Sequence, residues 1–318
     1  MIKNKETEIM MNNNIMLKEL NLLDDNNKIK INYNKTCDCP TNHISCINAK
    51  SWLKSQVAIQ EFYYEKRDIR DKNIHPAVFP IGLPKFFINL LTHEGELILE
   101  PFGGIGTTLI AARDLSRNAV AFDLKKEYVD YANKRVSNLL FDSNTTQIEI
   151  NDNALNISNY LYENSVKLII TSPPYANLLN HQRKNKSKRG DLRNDQHYNK
   201  IQQYSDNPED IGTLQTDDFV EKLGEIYKGL FPLLVEKGHS VIDITDLWDN
   251  SIKLGRRLPL HLKTINKMES IGYELRNIII WDRRNLVNGV GIFGWPNNYI
   301  TLGTTFEYLL DFWKPPKA

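Results

Sequence analysis

Two short stretches concentrate the residues that can do chemistry. In TSPPY, Thr171 to Tyr175, consecutive prolines Pro173 and Pro174 fix the backbone and remove two amide donors. That leaves carbonyls as acceptors beside the Ser172 hydroxyl, with the Tyr175 ring as a flat face for a planar base. An exocyclic amine can give its two hydrogens to Ser172 Oγ and the Pro173 carbonyl. Its nitrogen lone pair is then drawn out of conjugation and aimed at an electrophile, a geometry suited to in-line transfer by alignment and dipoles. In a duplex the base must flip out, at a cost of about a few kcal/mol. Cytosine C5 chemistry needs a thiol nucleophile, and no cysteine follows Cys46.

The second stretch is LILEPFGGIGTT, Leu97 to Thr108. It reads as a buried strand ending in an acid, a turn on Gly103, Gly104 and Gly106, and a helix start. The loop lacks the GK[ST] ending of a phosphate loop, and Glu100 would repel a phosphate. A cationic or zwitterionic ligand suits it better, which favours S-adenosyl-L-methionine over a dinucleotide or ATP.

Alternating strands and helices must position both stretches. A helix from Thr107 to Leu115 leads to RNAVAFD, a strand ending at Asp123, 20 residues beyond Gly103 and suited to ribose hydroxyls. A helix from Lys125 to Leu140 leads to QIEIND, a strand ending at Asp152 that suits an adenine amine, and VKLII is the strand before TSPPY. Further strands are expected at HSVIDIT, ELRNIIIW and TFEYLLDFWKP, and helices at Leu83 to Leu91, DDFVEKLGEIYKGLFPLLVEKG and LHLKTINKMESIG. The expected fold is α/β, a doubly wound, mostly parallel, seven-stranded, Rossmann-like sheet with irregular N-terminal and loop insertions.

Residues 1–50 read as a partly irregular arm, with a short helix near Met16 to Leu22. Residues 51–318 read as the catalytic domain, opening on one helix through SWLKSQVAIQEFYYEKRD. A basic insertion at 181–212 and a loop at 282–299 interrupt it. Arg183, Lys184, Lys186, Lys188, Arg189 and Arg193 form an expected phosphate-facing surface, with Arg283 and Arg284 as further DNA contacts.

The 318 residues are 41% hydrophobic and 25% charged with net charge +1, so a polyanion site has to be local. No apolar run reaches the length of a membrane span, and the polar N-terminus MIKNKETEIMMNNN predicts a cytoplasmic protein without membrane contact. Cys37, Cys39 and Cys46 lie in one patch with His43 between them. With His43 the set could supply four metal ligands, but Cys-x-Cys is cramped for one tetrahedral zinc, so reduced, incidental thiols are expected over a metal site.

HPAVFP (His75 to Pro80), EPFGGIGTT, Asp123 and TSPPY together resemble the DNA amino-methyltransferases that modify cytosine N4 or adenine N6, over roughly Ser51 to Pro315. The resemblance implies that His75, Pro76, Phe79, Pro80, Glu100, Phe102, Thr107 and Thr108 lie at the methionine side of the cofactor. SPPY, with serine rather than aspartate, is similar to the cytosine-N4 members. The order HPAVFP, FGGIGTT, TSPPY departs from many such members, which place the catalytic motif first, and Glu100 replaces a common aspartate. The implied reaction is transfer from S-adenosyl-L-methionine to N4 of a flipped cytosine in a specific double-stranded DNA sequence. A cognate restriction endonuclease in the same system, without a stable complex, is the implied partner. Adenine N6 as the target, RNA as the substrate, and a catalytically silent DNA-binding specificity partner stay open as alternatives.

Overall fold

The structure is a computed structural model that describes residues 12–40, 42–71, 74–75, 77–137, 144–175, 207–249, 255–285, 293–295 and 299–317. Its centre is the strand Leu97–Glu100 (β2), in which all four residues are buried. Parallel partners flank it: Asn118–Asp123 (β3) and then Gln147–Asn151 (β4) on one side, and Val166–Thr171 (β5) and then Leu234–Ile244 (β6) on the other. Phe306–Trp313 (β12) runs antiparallel to β6, and Glu274–Asp282 (β9) antiparallel to β12. The two-residue strand Ile59–Gln60 (β1) closes the edge, parallel to β9. The sheet is Rossmann-like and mixed, of order β1-β9-β12-β6-β5-β2-β3-β4.

Side chains alternate across the sheet as the strand period requires. Ile98, Ala119 and Ala121 face the layer formed by Gly82–Leu91 (α4), Thr107–Asp114 (α5) and Lys126–Ser137 (α6). Leu97, Leu99, Val120 and Phe122 face the layer of Thr216–Leu230 (α7) and Leu260–Ile271 (α8). Each such leucine or isoleucine contributes on the order of 1.5–3 kcal/mol by leaving water. The small Ala119 and Ala121 let α5 approach closely, which fixes the glycine loop at its N-terminus.

The structure departs from the expected pattern in two places. The helix expected through Ser51 to Asp68 splits into Ala49–Ser55 (α2) and Lys66–Asp71 (α3), with β1 between them. Ala58 accepts a backbone hydrogen bond from Ile280, and Phe62 packs edge-on against Trp281, so sheet pairing outweighs the helical spacing and adds an eighth strand to the seven expected. β6 begins at Leu234, inside the stretch expected to be helical. A bulge in its pairing with β5, with Lys237 at φ 59, absorbs the extra residues.

The N-terminal arm is docked into the core. Leu17, Ile29 and Ile31 are buried, and Asn13 Nδ2 donates to the Asn151 carbonyl at 3.0 Å. Its helix spans 12–19 (α1). Among the described residues no helix is long and apolar enough to cross a membrane.

Candidate active site

Because β2, β3, β4, β5 and β6 are parallel, their C-terminal ends share one edge. Chain order reverses there between β2 and β5, which opens a crevice at a topological switch point. A cleft lies at this place. It takes in Glu100, Phe102, Gly103, Gly104, Thr107 and Asp123 from one side and Ser172, Pro173, Pro174 and Tyr175 from the other.

The glycine loop is shaped by contacts that no side chain would permit. Gly104 has φ +60, and a Cβ there would meet His75 Nε2 at 3.4 Å. Gly106 has φ +76, and its Cβ would lie 2.8 Å from that of Ala132. Gly103 donates its amide to the Phe122 carbonyl at 2.7 Å, and Gly104 donates to Asp123 Oδ2 at 3.0 Å. Asp123 Oδ1 also accepts from the Lys125 amide at 2.8 Å. Burial nevertheless pushes the Asp123 carboxyl up to about 6.

Glu100 is buried, and its Oε2 has no hydrogen-bond partner. Burial first, and the like charge of Asp123 as well, hold its carboxyl well above the usual range. A buried carboxylate oxygen without a partner, beside a glycine cradle, fits a ligand carrying an ammonium group. Asp152 is differently placed. Its Oδ1 accepts from the Asn153 amide (2.7 Å) and Asn156 Nδ2 (2.8 Å), and its Oδ2 from the Tyr160 hydroxyl (2.6 Å). The carboxylate therefore braces the end of β4, with Asn153 and Ala154 beside it on the cleft wall.

The HPAVFP segment covers the loop. His75 packs edge-on against Tyr128 at 4.8 Å, and its Nδ1 accepts from the Ala77 amide at 3.2 Å. Burial, with Lys125 nearby, lowers its pKa to about 4, so the ring is neutral at ordinary pH. Phe79 lines the cleft, whereas Pro80, Gly106 and Thr108 do not reach it. Thr108 is buried in α5, directly behind Thr107. An ion pair fastens α3 to α6, Arg135 to Asp71 at 2.6 Å, and Arg135 also reaches the Ile105 carbonyl.

On the opposite wall, Ser172 Oγ and the Tyr175 hydroxyl lie 3.2 Å apart. Tyr175 is buried, and its hydroxyl sits 3.4 Å from the Asp243 carbonyl oxygen and 3.5 Å from Glu307 Oε2. Asp243, at the end of β6, is buried. Burial pushes its carboxyl up to about 7, against the opposing pull of Arg283 and a hydrogen bond from Ser172.

Several of these residues carried no assignment from sequence. Asp243 was visible only as a strand end. Glu149 sits beneath the glycine loop, where a Gly103 Cβ would meet its Oε1 at 2.6 Å, and burial holds its carboxyl well above the usual range. Tyr128 and Asp210 also line the cleft. The hairpin of Leu247–Asp249 (β7) and Arg256–Leu258 (β8) rises just beyond β6. It carries Arg256, paired with Asp249 at 3.1 Å, and Arg257, whose guanidinium lies 5.8 Å from the Trp248 ring.

Of the expected DNA contacts, Arg283 is paired with Glu307 and lies over the Trp281 ring at 4.8 Å. Arg284 is clasped by Asp282, with Nε to Oδ2 at 2.9 Å, and stays largely exposed. Pro76, Arg183, Lys184, Lys186, Lys188, Arg189, Arg193 and most of the 181–212 and 282–299 segments lie outside the described residues.

Residues 3–134 match a family model described as DNA methylase. The chain is 40% identical over 78 residues to the type II methyltransferase M.PvuII of Proteus hauseri, covering 24% of this chain and 22% of that one. It is 34% identical over 84 residues to the type II methyltransferase M.BglI of Bacillus subtilis, covering 26% and 24%. The aligned region thus spans about a quarter of the length of these curated relatives. A solved structure similar over 52% of this chain and 51% of its own is a candidate DNA modification methylase of Thermus thermophilus, complexed with S-adenosyl-L-methionine. Its identity to this chain is 22% and its TM-score 0.33.

Proposed function

We propose that this protein is a site-specific DNA methyltransferase of the N4/N6 amino type, and that its target is N4 of a flipped-out cytosine in double-stranded DNA. The observation that carries the reading is the Ser172–Tyr175 hydroxyl pair facing, across one switch-point cleft, the unpartnered buried carboxylate oxygen of Glu100 and its glycine loop. The DNA methylase family match over residues 3–134, which hold the glycine loop, supports it.

In this reading Glu100 holds the amino group of S-adenosyl-L-methionine, Asp123 accepts from the ribose hydroxyls, and the Asn153 region meets the adenine edge. Bound there, the cofactor supplies an electrophilic methyl group on a sulfonium. Ser172 Oγ and the Pro173 carbonyl accept the two amine hydrogens and aim the nitrogen lone pair. As the N–C bond formed, the C–S bond would break with its electron pair left on sulfur. The amine then sheds one proton, which passes by way of Ser172 Oγ to Asp243. The neutral His75 and the Phe79 ring close the methionine side against water.

DNA approaches the edge that bears the β7–β8 hairpin and Arg284. The exposed guanidiniums of Arg256 and Arg284 are well placed for phosphates, each contributing about 0.9 to the slope of log affinity against log salt. The functional partner in the cell is a restriction endonuclease of the same specificity.

Changing Ser172→Ala or Tyr175→Ala is expected to remove methyl transfer to DNA while cofactor affinity by calorimetry changes less than about twofold. Adenine N6 as the sole product would reassign the base. Undetectable cofactor binding by the unaltered protein would instead make it a silent DNA-binding partner.

A further inference from the structure

Four metal-ligating side chains that methyl transfer does not use meet at the other edge of the sheet, where β2 begins. Cys37 Sγ lies 3.4 Å and Cys46 Sγ 3.6 Å from His93 Nδ1. With Cys39 Sγ, these ligand atoms all lie within 4.8 Å of one another. A tetrahedral zinc, with Zn–S of about 2.3 Å and Zn–N of about 2.0–2.1 Å, sets sulfur and nitrogen about 3.5 Å apart. The two measured sulfur–nitrogen distances bracket that value.

The histidine is His93, not the neighbouring His43 of the cysteine patch. His93 is buried, whereas the His43 side chain is exposed. His43 contributes only its carbonyl, which lies 2.9 Å from His93 Nε2. A carbonyl can only accept, so Nε2 carries the proton and the Nδ1 lone pair points at the sulfurs, the outer-shell arrangement usual for a metal-bound imidazole. His93 stands 47 residues beyond Cys46, so the cramped Cys-x-Cys spacing is relieved by a ligand from another part of the chain.

One amide donor and two cations stand beside the sulfurs. The Glu94 amide donates to Cys46 Sγ at 3.3 Å. Lys35, whose Nζ reaches the Cys39 carbonyl at 2.5 Å, and the buried Arg117 place positive charge beside the sulfurs. Three thiolates and one imidazole around a divalent zinc leave a net charge of minus one, which these cations offset.

We propose that Cys37, Cys39, Cys46 and His93 bind one structural zinc ion. Three cysteines and a histidine complete a closed tetrahedron with no open position, so the ion holds structure and does no chemistry on a substrate. What it holds is the arm against the turn that enters β2. In that turn the Thr36 amide donates to the Glu94 carbonyl at 2.8 Å, Asn118 Nδ2 donates to the Asn32 carbonyl at 2.7 Å, and Gly95 at φ +81 leaves no room for a side chain beside Asn34 and Thr36. The clamp therefore fixes the start of the strand whose far end presents Glu100.

The test is metal analysis of the full-length protein purified with reductant and without added chelator. One zinc per chain is expected, replaced on cobalt exchange by the visible bands of a tetrahedral thiolate site. His93→Gln should lose the ion and His43→Ala should keep it. Should His93→Gln fail to fold, chelator treatment of the unaltered protein gives a separate readout, an expected fall in melting temperature of about 5 °C or more that added zinc reverses. Absence of zinc after incubation with the metal, stoichiometric iron in its place, or loss of zinc on His43→Ala but not on His93→Gln would each overturn the proposal.

Discussion

The Gly104 amide donates to Asp123 Oδ2 at 3.0 Å, tying the glycine loop to the end of the neighbouring strand. One carboxylate thereby holds the loop's shape and still presents lone pairs to the cleft. In the proposed reading, cofactor binding and loop conformation are coupled through that contact.

Burial raises the Asp123 carboxyl to about 6. The ionised form accepts hydroxyl hydrogens, so cofactor affinity should be full above that pH and fall as pH drops through it. Asp123→Asn should weaken binding by about 10- to 100-fold, the equivalent of one charge-assisted hydrogen bond of about 1.5–3 kcal/mol. It should also flatten the pH dependence near 6, as read by calorimetric titration across that range.

The Asp243 carboxyl, pushed up to about 7 by burial, takes up a proton only when ionised. Methyl transfer under single-turnover conditions should therefore rise with pH through about 7. Asp243→Asn should remove that limb and slow the step by about 100-fold while DNA affinity holds. A pH profile unchanged by the substitution would take Asp243 out of the proton path.

In the proposed reading, Glu100 sets stability against binding. Its carboxyl is held well above 4.5 in the folded state, so the folded form binds protons more tightly than the unfolded chain. Stability is thus lost as pH rises past the unfolded value. Glu100→Gln should melt higher than the parent at pH about 8, with the gap closing towards pH about 5, and should bind cofactor at least about tenfold more weakly. Thermal melts at the two pH values, with and without cofactor, check both halves.

Gly106 combines φ +76 with a 2.8 Å approach to the Ala132 Cβ. Gly106→Ala should cost about 1–2 kcal/mol from the left-handed backbone alone, with the contact adding to it. Paired replacement of Ala132 by glycine should restore only the contact part, as read by denaturant melts.

The strand-end acids were legible because buried strand, glycine turn and helix follow one another within 25 residues, and that local order fixes which ends face the crevice. Glu100, Asp123 and Ser172 stand where that order puts them. Asp152 stands there too, but its carboxylate is taken up by Asn153, Asn156 and Tyr160. Asp243 and Glu149 were illegible as site residues for different reasons. Asp243 comes within reach of Ser172 only through the β5–β6 pairing, and Glu149 follows an ordinary strand alternation within β4. β1 was hidden because Ser51 to Asp68 carries helical spacing, and only its partner in β9 decides otherwise. The meeting of His93 with three cysteines is likewise a product of tertiary packing.

The central claim is tested most directly by expressing the protein in a host without DNA methylation and analysing the nucleosides of a resident plasmid. The account predicts N4-methylcytosine, confined to one sequence and absent with Ser172→Ala. A plasmid with no modified base, from cells holding soluble protein that binds S-adenosyl-L-methionine, would contradict it.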